Sequence, residues 1–309
     1  MLKGHLCTFG AAVLFGLMSP MCKLAMQGGD LDALTLAFCR VSGAAVFFWL
    51  ISPFCPRQPI RKKDWLPLLG MSLCGMIFNQ FFYVMGIQYT SPSNACIVGT
   101  FTPVMTFILA AVFLHHRITA GRIVGLGVAC TGALVLVLGS GSNRICGHPF
   151  GDMLCLFSQF SAACYFVFFG GILKLYHPVT IMKWLFLMAS GLTLLPMWSH
   201  LSELQIQHIC LMELLAVLYI VVGGSFFSYL LLIVGQKCLE PPTVAAYNYI
   251  QPLLAVAVGV FLGLDSFSWL KALSLILIAC GVTLISVLSS EKASKSLLHT
   301  QNERDKTPS

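Results

Sequence analysis

The stretch Gly75-Met76-Ile77-Phe78-Asn79-Gln80-Phe81-Phe82-Tyr83-Val84-Met85-Gly86-Ile87-Gln88-Tyr89-Thr90-Ser91-Pro92 is an apolar helix pattern that runs into a short link and a proline. Its punctuation returns 149 residues later: Gly75 falls on Gly224, Phe78 on Phe227, Gly86 on Gly235 and Pro92 on Pro241. Further along, Pro103 falls on Pro252 and Gly132 on Gly281. Of the eleven Gly and Pro residues between 70 and 140, five meet an identical partner. Random placement would give about 0.8. The chain therefore reads as a duplicated unit with low overall identity between its copies.

Working outward, the 309 residues are 58% hydrophobic and 9% charged, with a mean hydropathy of +0.87. A water-facing domain carries roughly 25% charged residues, so a soluble enzyme and a nucleic-acid-binding domain are both excluded. The net charge of +7 comes from 18 basic residues spread thinly along the chain, and their placement carries more information than their sum. A spanning helix needs about 20 mostly apolar residues. Ten segments qualify, near 5–26, 34–52, 66–87, 91–113, 121–139, 150–172, 179–198, 213–235, 242–263 and 268–288. The first follows Lys3 without an A-x-A exit and is expected to be a retained helix. The short links at 87–91 and 236–241 make spans three and four, and eight and nine, antiparallel neighbours.

Placing the N-terminus in the cytoplasm puts fourteen of the eighteen Lys and Arg residues on the inside, and only Arg144 and Lys271 outside. Lys23 and Arg40 fall within spans. That bias predicts a multi-pass cell-membrane protein with both termini cytoplasmic. Five spans per copy is an odd number, so the second copy must enter the bilayer upside down. The expected fold class is an all-α integral membrane protein of ten transmembrane helices, arranged as two inverted five-helix repeats. The expected units are 1–140, 141–288 and a disordered cytoplasmic tail over 289–309. Inverted repeats place transporter binding sites near the midplane between the copies.

The segment from Phe78-Asn79-Gln80-Phe81-Phe82-Tyr83 through Gly86, Tyr89-Thr90-Ser91-Pro92, Pro103 and Phe113-Leu114 to Arg117-Ile118 resembles the third and fourth helices of EamA-type transporters. These belong to the drug/metabolite transporter superfamily. Gly235 through Pro241, Pro252 and Val260-Phe261-Leu262-Gly263 is similar to the same region of their second repeat, and Leu36-Ala37-Phe38-Cys39-Arg40 to their second helix. The likeness runs from about 5 to 288. Where the family often carries Glu after the end of helix four, this chain has His115 and His116. The resemblance implies export of amino acids or related small metabolites.

Polar side chains within hydrocarbon are costly, so they face a cavity or a partner helix. Asn79, Gln80 and Tyr83 stand on span three, with Asn79 and Tyr83 on one helical face. Asn248 and Gln251 stand on span nine, immediately before Pro252, and Gly99 and Thr102 occupy the matching places on span four. Gln159, Tyr165, Ser228 and Tyr229 complete the expected substrate-binding set. Pro20, Pro103 and Pro252 are the expected helix bends, since proline frees a carbonyl one turn earlier. Lys23 and Arg40 are expected towards the outer side, near Asp30 and Asp32, either snorkelling or recruiting a substrate carboxylate or phosphate.

No acidic residue is expected inside the membrane: Asp152 and Glu213 mark span starts, and Asp265 lies past span nine. The thirteen cysteines form no C-x-x-C pair, and most read as small apolar filler. Gly121 to Gly125 and Gly259 to Gly263 have the spacing of close helix contacts. No P-loop occurs, and no metal, cofactor or nucleic-acid partner is expected. The expected partners are a small-molecule substrate and the lipid bilayer, with the chain a monomer or homodimer. The leading reading is a secondary-active or facilitative permease working by alternating access. Its rivals are a carrier of sugar-phosphate or nucleotide-sugar anions, an intramembrane enzyme, and a non-transporting receptor or scaffold.

Overall fold

The computed structural model describes residues 2–28, 31–56, 58–113, 149–203, 210–238, 250–265 and 268–281, with Tyr247, residues 283–284 and isolated positions between 124 and 135. Among the described residues there is no strand, and six helical segments are long and apolar enough to cross a membrane. These are Leu2–Ala25, Ala33–Phe54, Lys62–Tyr89, Pro149–Ile172, Pro178–Trp198 and Leu211–Gly235, joined by the shorter apolar helices Ile250–Phe261 and Trp269–Gly281. The expected fifth span falls mostly outside the described residues, and the tail over 289–309 entirely outside them.

In chain order the helices are α1 (Leu2–Ala25), α2 (Ala33–Ile51), α3 (Trp65–Met71), α4 (Asn79–Tyr89), α5 (Pro92–Gly99), α6 (Thr102–Phe113), α7 (Pro149–Leu175), α8 (Pro178–Glu203), α9 (Leu211–Val221), α10 (Ser228–Cys238), α11 (Ile250–Phe261) and α12 (Trp269–Gly281). Two of the joins are π-helical: Ser72–Phe78 links α3 to α4, and Val222–Phe227 links α9 to α10. In each, a backbone N–H reaches back five residues, Asn79 to Cys74 and Ser228 to Gly223. The expected fourth span is broken at Thr100 and Phe101, between α5 and α6.

Local chemistry sets several of these ends. Asp32 caps α2 by accepting from the Thr35 N–H at 3.0 Å, and Ser91 caps α5 with Pro92 at its first position. Glu213 accepts from the Cys210 N–H at 3.0 Å and from the Gly28 N–H at 2.8 Å, so one carboxylate starts α9 and anchors the segment after α1. Gly263 stands at φ 68°, and the Leu264 N–H reaches Gly259 O at 2.9 Å, closing α11 with a left-handed cap. The Gly259 to Gly263 spacing is thus a helix terminus. Gly259 is buried facing Pro92 of α5, 3.9 Å from where a Cβ would stand, and Gly263 has no described neighbour within 4 Å of one.

Packing exchanges the two copies. The 149-residue offset carries α4 (Asn79–Tyr89) onto Ser228–Cys238, the full extent of α10, and carries α1 onto α7 and α2 onto α8. In the fold, α1 packs on α10 and α11, while α7 packs on α4 and α6; α2 lies along α8. Helices α1 and α7 thus each contact the other copy's counterparts of their own followers in sequence, while α2 meets its own counterpart. The outer faces stay apolar and open, with Leu195, Phe261 and Trp269 exposed 84%, 88% and 81%, as lipid contact requires. Trp49, Trp65 and Trp184 pack edge to face, with the Lys183 ammonium 5.0 Å from the Trp49 ring.

Candidate functional site: a polar cavity between the copies

A cavity of about 200 Å³ lies where the Ser72–Phe78 π segment, the α5–α6 break and α7 converge. Its wall includes Asn79, Gln80, Tyr83, Gly99, Thr102, Gln159, Tyr165, Tyr229 and Gln251, all expected from the sequence. Phe15, Met18, Arg40, Gly75, Met76, Cys96, Ala162, Phe166 and Leu232 complete it. Four local features open this space. The π segment brings Gly75 against the Tyr165 ring, where a Cβ would meet three ring atoms within 3.1 Å. The helix break places Gly99 with nothing within 4 Å of a built Cβ. Thr102 Oγ1 lies 2.9 Å from Gly99 O and 2.5 Å from Gln159 Oε1, tying the break to α7. Gly16 on α1 lets the Gln251 backbone approach to about 3 Å of where a Cβ would stand.

Arg40 sets the electrostatics. It lies seven residues past Ala33, about 10 Å along α2, and is 2% exposed. Its Nε donates to Ser225 Oγ at 2.8 Å, and that hydroxyl, on the second π segment, donates back to Ile220 O of α9 at 2.9 Å. Arg40 Nη1 is buried without a hydrogen-bond partner. Among the described residues no carboxylate pairs with it, and none lines the cavity. Opposite, Gln80 Nε2 donates to Tyr229 Oη. The chamber offers amides, hydroxyls, aromatic faces and one guanidinium, a set suited to binding a small polar solute.

The EamA-like transporter family matches residues 2–138 and again 149–287. The chain belongs to that family. An "Uncharacterized transporter" of Archaeoglobus fulgidus is 30% identical over 122 residues, 40% of this chain and 42% of that protein. The "Uncharacterized inner membrane transporter YedA" of Escherichia coli K12 is 27% identical over 231 residues, 72% of each chain. A WAT1-related protein of Arabidopsis thaliana is 32% identical over 83 residues, 25% of this chain and 21% of its own length. A solved crystal structure shares the fold, with a TM-score of 0.62 at 18% identity over 94% of this chain and 99% of that one. The chain is thus a multi-pass membrane protein of a transporter family.

Within this EamA-like fold several expected placements change. Ser228 is buried, donates to Gly224 O at 2.7 Å and does not line the cavity. It adjoins Tyr229 on α10, and neighbours on a helix point about 100° apart, so Tyr229 takes the cavity side. Asn248 and Asp30 lie outside the described residues. Pro20 sits inside the continuous helix α1, whereas Pro103 and Pro252 stand in the first turns of α6 and α11.

Lys23 and Arg40 do not pair with Asp32, which is turned to capping α2. The Lys23 ammonium donates to the carbonyls of Ile87, Gln88 and Thr90 at 2.9, 2.8 and 3.1 Å. It thereby satisfies orphan acceptors at the end of α4. Arg40 is buried and turns to Ser225 and the cavity wall.

Asp152 and Glu213 stand in the first turns of α7 and α9 and Asp265 just past α11, and all three are buried in the protein. Asp152 accepts from Thr90 Oγ1 and Asn94 Nδ2, and Asp265 pairs with Lys271 while accepting from the Ser93 N–H at 3.1 Å. Lys271, expected in an outer loop, is 5% exposed. These groups converge on residues 90–94 from α7 and from either side of the α11–α12 link. Their positions at span ends concealed this, since burial there depends on which helices meet.

Proposed function

We propose that this permease moves a small metabolite by alternating access, as two inverted five-helix repeats rocking around the cavity. Ten spans and cytoplasmic termini complete the reading, with the fourteen-to-two bias of basic residues as its support. One observation carries it: the cavity draws walls from both family copies, Asn79, Gln80, Tyr83 and Thr102 from the first and Gln159, Tyr165, Tyr229 and Gln251 from the second. Movement of one copy against the other must reshape a space built this way.

Amino acids or related compounds, moved outward, are the solutes this reading favours. The amide-rich wall suits a zwitterion, and about 200 Å³ is small beside the roughly 300–1,000 Å³ of larger ligand sites. A sugar-phosphate or nucleotide-sugar substrate is the second reading. It is less favoured because Arg40 is the one cation on the wall formed by described residues. The protein acts as a monomer or homodimer without a cofactor.

Counterflow of labelled amino acids into proteoliposomes tests the proposal. Exchange of at least one, lost in Gln159→Leu, is the expected result. Absence of flux for every amino acid and every phosphorylated sugar tested overturns it in favour of a receptor or scaffold.

A further inference from the structure

We infer that Arg40 is the anion-recognition residue of the cavity and that the solute carries a single carboxylate, which completes the guanidinium's hydrogen bonding when bound. The inference rests on the permease reading and gives it a substrate class. A guanidinium stays charged under all ordinary conditions and offers five N–H donors in a fixed fork. Here one donor, Nε, is held by Ser225 Oγ at 2.8 Å, which fixes the plane of the group. Another, Nη1, is buried with no partner, and Arg40 has no carboxylate within salt-bridge distance among the described residues. A buried charge left uncompensated is strongly unfavourable, and such groups are normally paired. A cavity bordering this one leaves room for the missing anion to be the cargo.

Three further observations narrow the anion. No acidic side chain lines the cavity among the described residues, so nothing there repels negative charge. The other nearby spanning cation, Lys23, already gives its three protons to backbone carbonyls and does not line the chamber. One positive charge balances one carboxylate and leaves a phosphate monoester dianion half neutralised. The rest of the wall supplies neutral partners, Gln80 with Tyr229 and Thr102 with Gln159, for the remainder of the solute.

The test compares matched probes on the purified full-length protein: common amino acids and short monocarboxylates, each beside its primary amide, by ligand-induced thermal shift and calorimetry. The amide keeps the shape and removes the charge, so no variant is needed for the first reading. The expected result is at least one acid binding ten times or more tightly than its amide. Arg40→Gln should erase that preference, and Arg40→Lys, which keeps the charge but loses the fork, should weaken acid binding about tenfold. Equal binding of acid and amide, binding of a phosphate ester in preference to every acid, no binding by any acid, or an acid preference that survives Arg40→Gln overturns the inference. Counterflow separates its failure from that of the permease reading: flux of a solute without a carboxylate ends the first and keeps the second, while no flux ends both.

Discussion

Asn79 and Ser158 bind each other three times. The Asn79 Nδ2 donates to Ser158 O at 2.9 Å and contacts Ser158 Oγ at 3.1 Å, and Ser158 Oγ donates to Asn79 O at 2.8 Å. The two residues belong to different family copies, and Asn79 lines the cavity while Ser158 does not. Interhelical hydrogen bonds in membranes average about 0.6 kcal/mol and reach about 1.7. Ser158→Ala removes two of the three contacts, so a stability loss of about 1 kcal/mol is expected, read as a lower unfolding midpoint in detergent. Flux per folded molecule should stay within about twofold. A tenfold loss of flux at an unchanged midpoint would make Ser158 part of the binding machinery.

Lys271 and Asp265 form a buried ion pair beside the α5 N-terminus, with Lys271 Nζ also 3.2 Å from Ser91 Oγ and Asp265 accepting from the Ser93 N–H. Breaking a buried pair from one side strands a charge and costs about 3–5 kcal/mol, whereas replacing both partners by apolar groups is often nearly neutral. Lys271→Met and Asp265→Leu should each sharply reduce the yield of monodisperse protein. The double variant should recover most of it. A double variant no better than the worse single one would show that the pair itself is not the cause.

The six long apolar spans were legible because charge scarcity and hydrophobic length act on each segment independently. The duplication was legible because glycine and proline are held in place by backbone geometry at Gly75, Gly86, Pro92 and Pro103. Most of the polar part of the cavity wall followed from polar residues stranded in apolar helices: Asn79, Gln80, Tyr83, Thr102, Gln159, Tyr165, Tyr229 and Gln251 all line it. What failed depends on tertiary meeting. Ser228 and Tyr229 look equally polar, and only packing decides which one turns inward. Asp152, Asp265 and Lys271 sit at span ends, where a sequence gives no depth. The π segments carry no period of their own, and only the coincidence of Ser72–Phe78 with Val222–Phe227 under the 149-residue offset ties them to the duplication.

Gly86 stands at a close contact between α4 and α7. A Cβ built there would lie 2.9 Å from Gly151 O and 3.1 Å from the Cys155 N, both backbone atoms that cannot turn aside. Gly151 meets the same contact from the other side, where an added Cβ would lie 2.8 Å from Gly86 O. Gly86→Ala should therefore separate the helices and lower the unfolding midpoint by several degrees. Gly170→Ala, with nothing within 4 Å of the added carbon, should be neutral or gain up to about 1 kcal/mol of helix propensity. Equal effects from the two substitutions would contradict the packing.

Native thiols can test the opposite polarity of the copies. Cys55 follows α2 and is partly buried, while Cys210 is exposed at the start of α9. The 149-residue offset carries position 55 to 204, within the α8–α9 connection that ends at Cys210. If the copies are inverted and the N-terminus is cytoplasmic, Cys55 faces the cytoplasm and Cys210 the exterior. A membrane-impermeant maleimide on intact cells should then label the Cys210 peptide and leave the Cys55 peptide unlabelled, as read by mass mapping. Permeabilisation should bring Cys55 up. Cys210→Ser should remove the first signal and Cys55→Ser the second. Labelling of both peptides before permeabilisation would place both connections on one face of the bilayer, and two copies of five spans each could not then be inverted.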